Sequence, residues 1–206
     1  MTLLDALSRI ASMDVIVFTT NDAAARLQIP NGHASATLAR LAASGQVIRL
    51  RRGVWAFPNR VDSLALPEHL TSPFPAYVSL QSALYLHGMI SQVPAVTYGV
   101  TLARTRRFVT PLGTVSLHHV QPLFFFGYEE AGRGGGRLAT PEKALVDFLY
   151  LTPARSRLFR SLPELEWPNT FSKSLARSIV RRVQSPSRRR SVSLALEKLL
   201  NARPGQ

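Results

Sequence analysis

The sequence predicts an α+β protein: a small N-terminal helical domain ending in a β-hairpin, then a mixed α/β domain, then a helical, basic tail. Three observations predict it. Residues 1–60 hold three helix-like apolar patterns followed at once by two strand-like runs around Arg51-Arg52-Gly53. Residues 76–151 alternate helical and strand-like segments broken by proline and glycine, and the remainder returns to helical spacing with a surplus of arginine. Apolar side chains that recur three and four residues apart belong on one helix face, whereas alternation marks a half-buried strand.

Leu3, Leu4, Leu7 and Ile10 recur behind Thr2 and predict a first amphipathic helix. Thr19-Thr20-Asn21-Asp22 supplies caps and an acidic first turn, so a second helix begins near Thr20 and stops before Pro30. From His33, "HASATLARLAASG" makes a third, with Ala34, Leu38 and Leu41 inward and Gly45 as its stop. The face left outward carries His33, Ser35, Thr37, Arg40 and Ser44. The run "GQVIRLRRGVWAFP" then reads as a hairpin with Arg49, Arg51 and Arg52 at its turn, its Val47, Ile48, Leu50, Val54, Trp55 and Phe57 packing on the helices.

Helix, tight turn, helix and hairpin, in that order, are the parts of a winged helix-turn-helix. Asn31, His33, Ser35, Thr37 and Arg40 are small or polar enough to meet base edges in a major groove, and the hairpin arginines suit the phosphates or the minor groove. A protein-binding module with a solvated basic hairpin is the plainer reading of the same parts.

Charge favours the first. The chain of 206 residues has a net charge of +13, divided as +4 over residues 1–60, zero over 61–151 and +9 over 152–206. Charge concentrated at two ends points to a polyanion or an acidic partner. No cysteine is present, which removes disulfides, thiolate metal sites and cysteine nucleophiles. The opening "MTLLDALSRIASMD" lacks the basic stretch and apolar run of a secretion signal, so a cytoplasmic location is expected. Residues from His69 to Ala103 carry no Asp, Glu, Lys or Arg, but Ser, Gln, His and Pro interrupt them, which predicts buried core and no membrane span.

Pro58 to Pro75 is rich in proline and small residues, and a linker with one short helical turn is expected over 61–75 between a domain at 1–60 and another at 76–206. In the second, "YVSLQSALYLHG" predicts a helix capped by Ser79 and stopped by Gly88. "AVTYGVTL", "RRFVTP", "GTVSLHHV" and "LFFFGYE" predict strands, with a turn at Pro111-Leu112-Gly113. "ATPEKALVDFLYL" predicts a helix with Thr140 as cap, Pro141 in its first position, and Lys143 and Asp147 paired one turn apart. His87, His118, His119, Glu142 and Asp147 show no ligand or triad spacing, and "GRGGGR" lacks the ending of a phosphate loop, so no enzymatic activity, metal or cofactor is expected. A metal-dependent nuclease would have to draw its carboxylates from Glu129, Glu130, Glu142 and Asp147.

In the tail, "TFSKSLARSIVRRV" sets Phe171, Leu175, Ile179 and Val183 on one row and Lys173, Arg177 and Arg181 on the opposite one. Arg188, Arg189 and Arg190 come before a last helix whose inner face is Val192, Leu196 and Leu199. These cations either form a solvated surface or contact DNA or a protein partner.

The segments "LARLAASGQVIRLRRGVWAFP", "YVSLQSALYLHGM", "VTYGVTLARTRRF", "FFFGYE" and "ATPEKALVDFLYL", in that order, resemble the AbiEi-type antitoxins of bacterial AbiE toxin-antitoxin systems over residues 14–151. The resemblance implies a winged helix-turn-helix that binds double-stranded operator DNA and represses its own operon. It also implies a C-terminal domain that neutralises a nucleotidyltransferase-like toxin, directly or functionally, with no catalytic residues to carry over. By position, DNA reading maps to His33–Ser44 and Arg49–Arg52. The alternative is a stand-alone winged-helix transcription regulator whose C-terminal domain senses a ligand or mediates association.

Overall fold

A computed structural model describes residues 1–132, 134–152 and 164–201. The first helix, α1 (Leu3–Ala11), is capped by Thr2, whose hydroxyl accepts the Asp5 N–H, and buries Ala6 and Ile10 while Leu4 points to solvent. A strand that the sequence reading did not anticipate, β1 (Val17–Thr19), leads into α2 (Thr20–Leu27). Thr19 and Asp22 exchange side-chain and backbone hydrogen bonds there, a reciprocal cap that satisfies two amides of the first turn. α3 (Asn31–Ala43) begins two residues ahead of the expected start and ends before Gly45, whose φ of 72° only glycine adopts without strain. β2 (Ile48–Arg51) and β3 (Val54–Ala56) form the hairpin, and β1 joins it in the order β1-β3-β2. Ile10, Phe18, Leu27, Leu38, Leu41, Val47, Trp55 and Phe57 close this unit's core.

The segment expected as a linker carries α4 (Leu66–Thr71), of which Leu66 and Leu70 are buried. Then come β4 (Ala76–Val78), α5 (Leu80–Leu86), β5 (Thr97–Thr101), β6 (Arg106–Thr110) and β7 (Gly113–His119). "LFFFGYE" is only partly a strand. Pro122 turns the chain into one 3-10 turn, Pro122–Phe124, and pairing resumes at β8 (Tyr128–Glu130), followed by β9 (Arg137–Ala139). The six strands form a mixed sheet in the order β6-β7-β5-β4-β9-β8. α5, α6 (Pro141–Leu151), α7 (Lys173–Arg181) and α8 (Pro186–Asn201) contribute to one large core that includes Tyr77, Leu84, Leu145, Phe148, Ile179 and Leu196.

Three local expectations are corrected. Ser79 sits at the N-terminus of α5 but does not cap it, because its hydroxyl is drawn inward to Asp147. α7 is rotated from the expected row: Ala176, Ile179, Val180 and Val183 are buried, while Leu175 is 45% exposed and Phe171 precedes the helix, against Trp167. α8 starts at Pro186, so Arg188, Arg189 and Arg190 lie inside its first turns instead of ahead of it, and Leu200 joins Val192 and Leu196 in full burial while Leu199 packs half-buried beside them.

The hairpin unit and the six-stranded sheet share a seam. Leu50, Val54 and Ala56 of the hairpin, Leu66 and Leu70 of α4, and Phe108, Val115 and Leu117 of β6 and β7 form a third apolar cluster. The glycine-rich loop closes against the same junction. A side chain at Gly134 would strike Ile16, and one at Gly136 would meet the Leu64 and Ala65 backbone, which accounts for small residues there without any phosphate-binding role.

Candidate nucleic-acid interface

α3 presents a narrow, small-residue arc to solvent. At 100° per residue, Gly32, Ser35, Ala36, Ala39 and Ala43 share that arc, and all are exposed. Asn31 flanks it on one side and Arg40 on the other. His33 and Arg40 border a shallow groove of about 210 Å3 that also involves Met1, Thr2 and Ile29, so the start of α1 lies beside this face. Thr37 departs from its assignment. It is 5% exposed, lining that groove with Ala34 and Leu41 on the buried side. It is therefore not on the outward face.

The hairpin arginines also separate. Arg52 is exposed at the turn, and Arg49 is exposed with its guanidinium 5.7 Å from the Trp55 ring. Arg51 instead folds back: its Nη2 donates to the Ser72 carbonyl at 3.3 Å and its Nε is buried. A guanidinium held this way ties the hairpin to the end of α4 and is poorly placed for a phosphate.

Three further cations adjoin this surface and were missed in the sequence. β6 is the edge strand of the large sheet, approaches β2, and carries exposed Arg106 and Arg107, with Arg104 exposed just before it. Arg106 lies over Phe108, which packs in the seam against the hairpin. The signal was present as "ARTRRF", but the neutral total of the middle segment concealed it. Among the described residues Arg40, Arg49, Arg52, Arg104, Arg106 and Arg107 have no carboxylate within ion-pair distance, since the ion pairs are Arg9–Asp5, Arg137–Glu68, Lys143–Asp147 and Arg177–Glu197.

The tail cations are less uniform than their sequence. Lys173, Arg181, Arg189 and Arg190 are exposed, but Arg177 makes a bidentate pair with Glu197 at 2.8 and 2.9 Å, and Arg188 is half-buried with its guanidinium 4.8 Å from the Tyr150 ring. A bidentate partner already occupies the fork that a phosphate would need.

Most of the residues weighed for catalysis have structural partners. His87 Nε2 meets the Ala139 carbonyl at 2.7 Å, His119 Nδ1 meets the Ala103 carbonyl at 3.1 Å, and His118 is buried beside the Ser116 hydroxyl. Burial lowers the pKa of His118. Glu142 accepts the Ser172 N–H at 2.7 Å, joining α6 to α7, while Glu129 and Glu130 are exposed on β8. Asp147 and Lys143 are fully buried and paired, as their spacing predicts. Asp147 also accepts from Tyr77 at 3.0 Å and Ser79 at 2.8 Å, and Lys143 donates to the Tyr77 oxygen at 2.9 Å with the Phe124 ring 4.1 Å away. Burial pushes Asp147 up and Lys143 down, each partly restrained by the other's charge. The cluster has no surface, so it holds α6 to β4 and meets no substrate.

Residues 5–58 match the family model of the AbiEi antitoxin transcriptional regulators, so the resemblance holds over the helices and hairpin that build this surface. No curated protein matches the chain significantly. Among the described residues, no helix is long and apolar enough to cross a membrane.

Proposed function

We propose that the match over residues 5–58 marks a winged helix-turn-helix, and that the chain is a DNA-binding antitoxin which represses its own operon. The observation that carries this reading is the surface itself: the small exposed arc of α3, together with the unpaired arginines of the hairpin and of the β6 edge that approaches it. A helix face of Gly, Ser and Ala lets the helix enter a major groove, with Asn31, Ser35 and Arg40 in reach of base edges. Arg49 and Arg52 on the wing, extended by Arg104, Arg106 and Arg107 on β6, are placed for the flanking backbone. Phosphate contacts of this kind supply most of the affinity and α3 the preference for the operator.

The rest of the reading concerns the partner. The larger domain, with its exposed Lys173, Arg181, Arg189 and Arg190, is where a nucleotidyltransferase-like toxin is neutralised, directly or functionally. On this reading the protein works in the cytoplasm by binding and not by catalysis: His87, His118, His119, Glu142 and Asp147 are engaged by the fold, and no motif joins them to the exposed Glu129 and Glu130.

Anisotropy titration of a duplex from upstream of the chain's own gene, at several salt concentrations, tests the DNA reading. Each phosphate contact contributes about 0.9 to the slope of log K against log salt, so Arg49→Ala with Arg52→Ala should lower that slope by about two. An unchanged slope removes the wing from the interface. Co-expression with the neighbouring gene, scored by growth, tests the antitoxin role: a toxic nucleotidyltransferase-like neighbour rescued by this chain supports it, and no rescue leaves a regulator only.

A further inference from the structure

The basic end of the chain holds a recess as well as a surface. A cleft of about 300 Å3 is lined by Gln121, Leu123, Tyr150, Arg182, Gln184 and Arg188, with Ser185 at its edge. Both arginines sit over aromatic rings: the Arg182 guanidinium carbon is 3.4 Å from the Phe126 centroid and that of Arg188 is 4.8 Å from that of Tyr150. Stacking fixes a guanidinium plane while leaving its N–H edge free to bind.

That edge is unclaimed. Among the described residues neither arginine has a carboxylate partner, although Arg177, on the same helix–helix layer, is given Glu197. Charge accumulates further at the mouth, since the first turn of α8 contains arginine and no acidic residue. Asp or Glu is favoured there because helical N–H groups face outward, so cations at this end raise the local potential.

We propose that this cleft binds the phosphate of a small phosphorylated ligand of about mononucleotide size. The two guanidinium forks take the phosphate oxygens, Gln121, Gln184 and Ser185 offer neutral hydrogen bonds, and Leu123 and Val183 form an apolar wall for the rest of the molecule. A bare phosphate leaves most of the volume empty. DNA phosphates share the chemistry, but they are met by arginines that project, as Arg189 and Arg190 do, whereas Arg188 is half-buried against Tyr150 and Arg182, though exposed, is held over the Phe126 ring. The site is independent of the α3 surface.

Thermal unfolding and calorimetric titration of the full chain with inorganic phosphate, pyrophosphate and ATP, at constant ionic strength, test the proposal. ATP or pyrophosphate should raise Tm in a saturable way and bind more tightly than phosphate. Arg188→Met should weaken that binding at least tenfold, while Arg189→Ala should leave it within twofold. Should Arg182→Met fail to fold, Arg188→Met and Arg188→Lys, which keeps charge but loses the fork, still decide the matter. Absence of saturable binding by all three probes overturns the proposal, as does equal binding by Arg188→Met. Displacement of ATP by duplex, with Arg188→Met weakening duplex binding in parallel, assigns the cleft to DNA and also overturns it.

Discussion

Replacing Asp147 by asparagine should isolate the energetic role of the buried cluster in the larger domain. The change keeps shape and leaves an amide oxygen to accept from Tyr77 or Ser79, but strips Lys143 of its counter-charge in a site where both are fully buried. Removing one member of such a pair typically costs about 3–5 kcal/mol. The ammonium has one escape, which is to fold unprotonated. At pH 7 deprotonating a lysine of ordinary pKa near 10.4 costs about 4.6 kcal/mol, which caps the loss near that value. At pH 9 the same step costs only about 1.9 kcal/mol, so the deficit of the variant should fall to about that value, a drop of up to about 2.7 kcal/mol between the two. The wild-type pair gives no such slope, because folded and unfolded chains each hold one proton between the two groups over this range, whichever group carries it. Urea denaturation at pH 7 and 9, with Lys143→Met/Asp147→Asn as the second variant, provides the measurement. The double variant should recover part of the loss and be insensitive to pH. A loss under about 1 kcal/mol, or one equal at both pH values, would refute the account of a charge stranded in the core.

Three other predictions concern the reading face, a buried histidine and the sheet. Ser35→Ala should cost about 1 kcal/mol of preference for operator over random duplex, the size of one hydrogen bond, while Thr37→Val should leave that preference intact because the side chain is buried; competition binding distinguishes them. Burial holds His118 below the ordinary histidine value, so as pH falls through about 6.5 the unfolded chain takes up the proton first. Stability is thus full above that pH and declines below it, by at most about 1.4 kcal/mol per pH unit for this proton, and His118→Gln should remove that share of the slope in urea melts at pH 7.5, 6 and 5. Gly99→Ala should destabilise by about 1–3 kcal/mol, since a methyl group would stand 2.6 Å from the Tyr77 carbonyl and 2.8 Å from Leu117; an unchanged Tm would show that β4 and β5 yield there.

Local rules read the local elements well. The caps at Thr2, Thr19 and Thr140, the stop at Gly45 and the Lys143–Asp147 spacing each rest on neighbours in the chain, and each is present in the structure. What depended on distant partners was lost. β1 is three residues long and owes its existence to β3, far along the chain, and "FFF" was taken from its strand by the turn at Pro122. The candidate site divides in the same way. Asn31, His33, Ser35, Arg40, Arg49 and Arg52 lie where an exposed helix face and hairpin put them, whereas Thr37 and Arg51 were turned inward by α1 and α4. Arg106 and Arg107 join the surface only because a sheet edge happens to dock beside the hairpin.

That docking has a consequence for anyone who cuts the chain. β2 and β3 are walls of two rooms: Trp55 and Phe57 face the helices, while Leu50, Val54 and Ala56 face the sheet. A fragment ending where the family match ends, at Pro58, keeps every residue of α3 and the wing but lays the second wall bare. Such a piece is expected to self-associate or misfold through those side chains, so failure of the isolated fragment to bind DNA would say nothing against the DNA reading proposed for the intact protein. The unit that is inherited and the unit that folds have different ends.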